Sequence, residues 1–542
     1  MFRRILFVVI SVFLHSCSSK TKVDLVVYHA KVYTVDDKFS VAEAFAVDKG
    51  KIIAVGSSEE ILKKYEGDLL DAELKTIYPG FIDGHSHFYG YGQGLQNANL
   101  VGTGSWEEVL IKLKEFSLKR PDAWLVAKGW DQNDWDKKVF PDNSELNKLF
   151  PNRPVILSRI DGHASIANKF ALDLAGLKPG QKVKGGELEV LNGRLSGILI
   201  DNAQDLVYSK MPPSTQSQIA QSLRDAQQNC FAVGLTSVVD CGISHQLLPI
   251  ITELQKSKQL KMRIYGMLSD SKDNYDFLFK KGIIKTDRLH VRSFKVFSDG
   301  ALGSRGACLI EPYSDKPGYS GFLLSDRKHF VDIARKIAEK GFQMNTHAIG
   351  DSANREILNI YAEVLKGKND FRWRIEHAQV IEPSDFKLFG ENNIIPSVQS
   401  THATSDMYWV DKRLGAERSK GAYAFKQLLD QNGWLVLGTD FPVEDINPIL
   451  TFYAAVVRKD TKGYPANGFQ VENALSREEA LRGMTIWAAK GNFEEKEKGS
   501  IEVGKYADFV ILDGDLMNTA ADSLFNVSVF KTYLNGEQVY AK

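Results

Sequence analysis

The run Pro79-Gly80-Phe81-Ile82-Asp83-Gly84-His85-Ser86-His87 reads as a buried β-strand ending in two side chains able to bind a metal. Phe81 and Ile82 favour extended backbone, and Gly84 permits close backbone approach just before the histidines. On a strand, residues i and i+2 point to the same face, so the imidazoles of His85 and His87 can reach one ion. Two neighbouring histidines are common in proteins and carry little weight alone. Their weight comes from the residues downstream.

Beyond His87, apolar strand-like runs at 235–240, 262–267, 292–297, 343–347, 374–377, 394–399 and 435–440 alternate with helical stretches such as 330–338. With the first run these make eight strands. Eight strands alternating with helices predict an α/β fold, a (β/α)8 TIM barrel over 79–494. The spacing breaks once, after His87, where more than a crossover helix separates the first two strands. An inserted subdomain is expected at about 100–215, on the face where βα loops build active sites. Short alternating strands occupy both ends of the chain, 22–78 and 495–542, and neither end has enough of them to close a core. Together they predict one small composite β-sandwich domain. Asp48-Lys49-Gly50-Lys51 reads as its hairpin turn, and Ser476-Arg477-Glu478-Glu479 as a capping box opening a helix.

Formal charge is zero over 542 residues and no long basic run occurs, so nothing recommends nucleic acid as a partner. The first residues differ from the rest. Arg3 and Arg4 precede an apolar run at 5–14 and then His15-Ser16-Cys17, the layout of a secretory signal too short to span a bilayer. Leu14-His15-Ser16-Cys17 resembles a bacterial lipobox, which implies a signal over 1–17, a lipid on Cys17 and an anchored protein facing the periplasm, with Ser18 favouring the outer membrane. The other cysteines, Cys230, Cys241 and Cys308, show no C-x-x-C spacing. Buried thiols are expected, and a Cys230–Cys241 disulfide stays open.

The ends of the predicted strands carry the chemistry. His85 and His87 close the first, Lys295 lies on the fourth, His347 and His377 end the fifth and sixth, and Asp440 ends the eighth. In a barrel these ends converge on one face. Imidazoles and a carboxylate gathered there are ligands for zinc or a similar divalent ion, with Fe2+ and Mn2+ also compatible. Two structural readings stand beside this one: Lys295 paired with Asp299, and Asp440 as a helix N-cap.

These motifs resemble the amidohydrolase superfamily, specifically the amidohydrolase family 3 branch that includes N-substituted formamide deformylases. The likeness rests on residues 80–87, 295–304, 345–351, 374–377, 402–407, 438–440 and 499–508. It implies one or two divalent metals, with His85 and His87 on one, His347 and His377 on the second, and Lys295 bridging them after carboxylation by carbon dioxide. An ammonium would repel two cations, whereas a lysine carbamate offers two anionic oxygens. Asp440 would touch the first metal and act as general base. The activity implied is hydrolysis of non-peptide C–N bonds, with linear N-acyl or N-formyl amines as substrates. A mononuclear deaminase or cyclic amidohydrolase is the sister reading, and a ligand-binding lipoprotein on a retired barrel the non-enzymatic one. Candidate substrate contacts are His163, within an Asp-Gly-His that the family shares, and Asp131 in the insertion. Asp299, Arg305, His402, Asp406 and Trp409 are further candidates on βα loops. The number of subunits stays open, a homodimer being compatible.

Overall fold

Phe81–Ser86 forms the first barrel strand, β1, with every residue buried. The other seven are β2 (Leu235–Ile243), β3 (Arg263–Ser269), β4 (Leu289–Phe297), β5 (Gln343–Ala348), β6 (Arg374–His377), β7 (Ile395–Val398) and β8 (Val436–Leu437). They lie side by side in chain order, each ladder parallel. β8 comes back against β1, where the Asp440 N–H donates to the His85 carbonyl at 2.8 Å. The seam is tight. A Cβ on Gly84 would lie 2.1 Å from Val436 Cγ1, so only glycine fits there. This computed structural model describes residues 20–119, 124–159, 164–183, 186–201, 203–303 and 305–542. The expected leader with Cys17, and His163, lie outside the described residues.

Helices cover the outside of the barrel. Arg327–Glu339 buries Phe330, Ile333, Ala334 and Ile337, spaced for one helical face, and its N-cap Asp326 accepts the His329 N–H. The capping box at Ser476 and Glu479 is formed.

Strands from both termini build the small β-domain. A four-stranded sheet holds only N-terminal strands, and a six-stranded sheet pairs Phe509–Leu512 antiparallel with Thr76–Pro79. Val27, Phe45, Ile52, Ile77, Phe509 and Ile511 fill the space between the two sheets. The strand Tyr65–Asp71 is an addition to the sequence reading; its side chains are mostly exposed, so it carries no apolar alternation. The domain meets the foot of the barrel through a buried bidentate pair, Arg263 to Asp508, at 2.6 and 3.0 Å.

The chain between β1 and β2 forms a six-stranded mixed sheet in the order Gly186–Leu191, Arg194–Asp201, Ala164–Ala167, Val155–Arg159, Leu125–Trp130, Ala98–Asn99. Separate apolar clusters cover this sheet, one including Leu113, Trp130 and Leu157, another Ile156, Leu172 and Leu199. Cys230, Cys241 and Cys308 are free thiols. Among the described residues no helix is long and apolar enough to cross a membrane.

Candidate metal centre

β1 delivers His85 fully buried to the C-terminal face of the barrel. The His85 Nδ1 lies 2.5 Å from Glu376 Oε2, and both side chains are wholly buried. With Nδ1–H donating to this carboxylate, the Nε2 lone pair points into the site. There it meets Lys295 Nζ at 3.2 Å and Asp440 Oδ1 at 3.6 Å. His87 Nε2 approaches the same Asp440 oxygen at 3.2 Å, and His402 Nε2 lies 3.7 Å from Oδ2. The His377 ring centroid lies 4.8 Å from that of His85 and 4.5 Å from that of His347.

Backbone strain aims two of these groups. His377 and Asp440 adopt φ of 75° and 64°, in the left-handed region that side-chain-bearing residues seldom occupy. Regular strand geometry would send Glu376 and His377 to opposite faces. The turn at His377 lets Glu376 stay inside the barrel against His85 while the His377 imidazole joins the cluster above.

Electrostatics favours the neutral form of His347, His377 and His85. Burial, and then the charge of Lys295, pushes His347 down to about 3. Burial and the neighbouring His347 hold His377 well below its ordinary range, and burial and Lys295 lower His85. Burial works against ionisation of Asp440, yet His85, with His87 and His402, outweighs it and keeps the carboxyl ionised far below the usual range. Glu376 falls to about 2, again against burial, chiefly through His85.

Ligand atoms of His85, His377 and Asp440 lie within 4.8 Å of one another. His347 Nε2, His377 Nδ1, His402 Nε2 and Asp440 Oδ1 are buried without a hydrogen-bond partner. Buried polar atoms are almost always paired, so neutral imidazole nitrogens and a carboxylate oxygen left orphaned around one point fit a divalent cation. His85, His377 and Asp440 would hold it, with His87, His347 and Lys295 around them.

The two structural readings left open by the sequence do not describe this geometry. Lys295 faces His85, while Asp299 accepts backbone N–H bonds from Cys308, Ile349 and Gly350. The helix after β8 starts at Pro448 with Asn447 as its N-cap, not Asp440.

The candidate substrate residues divide. His402 lines the centre, stacked on His377 at 5.9 Å. Asp299 sits beneath His347 Nε2 at 3.7 Å, and burial raises its carboxyl to about 7. Asp406 accepts the Tyr423 hydroxyl at 2.6 Å, and Arg305 chelates Asp315 near the surface. Trp409 is half-buried, its ring over Gly303, and Asp131 pairs with Arg159 in the insertion. Trp130, next to Asp131, is fully buried and donates to the Leu157 carbonyl at 2.8 Å.

Two functional carboxylates escaped the sequence reading, although both lie inside quoted motifs. Glu376 orients His85. Asp83 accepts the Thr439 hydroxyl at 2.7 Å and the backbone N–H groups of His85 and Thr439, pinning β1 to β8 beneath the centre.

A model described as the amidohydrolase family matches residues 68–540. A putative amidohydrolase, YtcJ, of Bacillus subtilis is 31% identical, over 94% of this chain and 98% of its own. An N-substituted formamide deformylase of Arthrobacter pascens is 25% identical, over 96% of this chain and 98% of its own. A solved structure of an uncharacterized metal-dependent hydrolase from Pyrococcus horikoshii superposes with a TM-score of 0.78 at 27% identity, covering 92% of this chain and 99% of that one. With a barrel, a cluster of orphaned ligand atoms and a match across most of its length, the chain belongs to the amidohydrolase family, metal-dependent hydrolases of C–N bonds.

Proposed function

We propose that the protein hydrolyses linear amides, N-acyl or N-formyl amines, using one or two divalent cations held at the mouth of the barrel. The observation that carries this reading is the convergence of His85, His377 and Asp440 around orphaned buried ligand atoms, with Lys295 beside them. A bound divalent cation supplies Lewis acidity, making water acidic and the substrate carbonyl electrophilic. The chain does the rest. Asp440, ionised far below neutrality and aimed by its strained backbone, takes the proton of the attacking water and returns it to the leaving nitrogen. His402, whose Nε2 lies 3.7 Å from Asp440 Oδ2, stands at the edge of the centre where it can contact the substrate. Amide hydrolysis then needs no serine or cysteine nucleophile.

The resemblance to a formamide deformylase over nearly the whole chain supports N-formyl amines within this class. Lys295, fully buried at the centre, is the residue we assign to a carbamate bridge between two zinc ions. The compact three-residue group favours a second reading, a mononuclear site of deaminase type. We further propose that the leader is cleaved before Cys17, whose thiol carries the lipid, and that the enzyme is lipid-anchored on the periplasmic side of the outer membrane.

Metal content of the chain lacking residues before Ser18, set against its Lys295→Ala variant, separates the two readings. Two metals falling to one or none, with loss of activity on N-formyl amines, is the expected result. One metal, insensitive to the substitution, would remove the bridge and favour the mononuclear reading.

A further inference from the structure

The seam between the insertion and the barrel holds an open cavity of about 980 Å³, the size of a small-molecule site. Its barrel wall includes Tyr91, Leu95 and Pro442. Pro442 lies two residues beyond Asp440, and the Phe441 carbonyl between them accepts the His87 N–H at 2.9 Å. The Tyr91 ring meets Phe441 edge-on at 5.2 Å. This wall is therefore made by the two segments that carry Asp440 and His87.

The opposite wall is the insertion sheet. Lys128 pairs with Ser158 and Trp130 with Arg159, so Gly129 is an extra residue in its strand, a β-bulge. Gly129 has φ of 102°, and a Cβ there would lie 2.4 Å from Val101 Cγ2. The bulge breaks the strand alternation. Leu125, Ala127 and Trp130 all enter one core, while Lys128 is left exposed on the other face, lining the cavity. Beside it the Ser158 hydroxyl and the Tyr208 hydroxyl lie 2.5 Å apart, both on the lining. Among the described residues no ion pair or hydrogen bond engages the Lys128 ammonium. Arg159, also on the lining, is held by Asp131 and Gln132. An ammonium and a hydroxyl pair on the lining of a largely apolar cavity match a carboxylate on an organic chain, with Asp205 the one acidic side chain among the described residues of the same lining.

We propose that this cavity seats the part of the substrate remote from the scissile amide, and that Lys128, with Ser158 and Tyr208, binds a carboxylate carried there. The proposal rests on the amide-hydrolase reading and narrows it to acid-bearing amides. The test uses the metal-loaded full chain and two substrates alike but for one end, N-formyl-6-aminohexanoate and N-formylhexylamine. The parent favours the acid, and Lys128→Met lowers the acid-to-neutral ratio of kcat/KM about 10-fold or more, as expected for one charge-assisted hydrogen bond. Lys128→Arg restores most of the ratio. Calorimetry with the product 6-aminohexanoate gives a second readout, its binding weakening about as much in Lys128→Met. Hydrolysis of both substrates with a ratio insensitive to Lys128 would overturn the proposal and leave the amidase reading intact. Lys128-dependent binding of 6-aminohexanoate without hydrolysis of either amide would instead overturn the amidase reading and keep the carboxylate site. Binding and ratio both indifferent to Lys128 would refute it outright.

Discussion

Glu376→Gln keeps the volume behind His85 and removes the charge. In the parent the Glu376 carboxylate lies 2.5 Å from His85 Nδ1, and neither side chain is exposed. Glutamine can still accept from Nδ1–H through its amide oxygen, so the loss is the difference between a charged and a neutral acceptor. Hydrogen bonds to charged groups are worth about 1.5–3 kcal/mol against about 1 kcal/mol for neutral ones, a difference of roughly 0.5–2 kcal/mol. Carried to His85 Nε2, that is about a 2- to 30-fold loss of metal affinity, overlapping the low end of the 10- to 100-fold typical of residues that orient ligand histidines. Arg374 keeps its bonds to Asn492 Oδ1 and the Gly84 carbonyl but loses the charge of the Glu376 carboxylate 4.0 Å away. The assay is competition for zinc against a fluorescent chelator at neutral pH, with circular dichroism of the metal-free proteins as the control for folding. A folded variant that binds zinc within about 2-fold of the parent would show that Glu376 does not tune His85, and the positioning argument would fall.

Asp440→Asn is expected to lower turnover of an N-formyl amine by about 100-fold or more, the usual share of a general base. A variant that loses stability but keeps its rate would make Asp440 structural. At the foot of the barrel, Glu494 is buried against Lys498 at 2.8 Å and His290 at 3.3 Å. Burial opposes its ionisation, but Lys498 and then His290 bring its carboxyl down to about 2. A folded value below the unfolded one gives stability that is present above about 4.5 and lost as pH falls towards 2, on the order of 3 kcal/mol in all. Urea unfolding of the metal-free chain at pH 5 and pH 3 is therefore expected to show a smaller acid loss in Glu494→Gln than in the parent; equal losses would contradict this assignment.

The parts of this protein that were legible in its sequence are those where periodicity and position coincide. Eight buried strands at βα spacing announce a barrel, and a barrel sends every strand end to one face, so His85, Lys295, His347, His377 and Asp440 could be gathered without coordinates. What stayed hidden depends on departures from that regularity. The alternation rule assigns Glu376 and His377 to opposite faces, and it takes a φ of 75° at His377 to put one behind His85 and the other beside it. In the insertion, the extra residue at Gly129 turns the Trp130 ring into the core and leaves Lys128 facing the cavity, which strict alternation would not give. The edge strand Tyr65–Asp71 shows the converse, regular backbone under a sequence with no pattern, because almost nothing on it is buried. In each case the missing ingredient is a local backbone state fixed by packing at a distance, and two of the three lie beside a functional group. Strained or bulged backbone is kept where a side chain must be re-aimed, so the positions hardest to read from this sequence are the ones where substitution should change chemistry before it changes the fold.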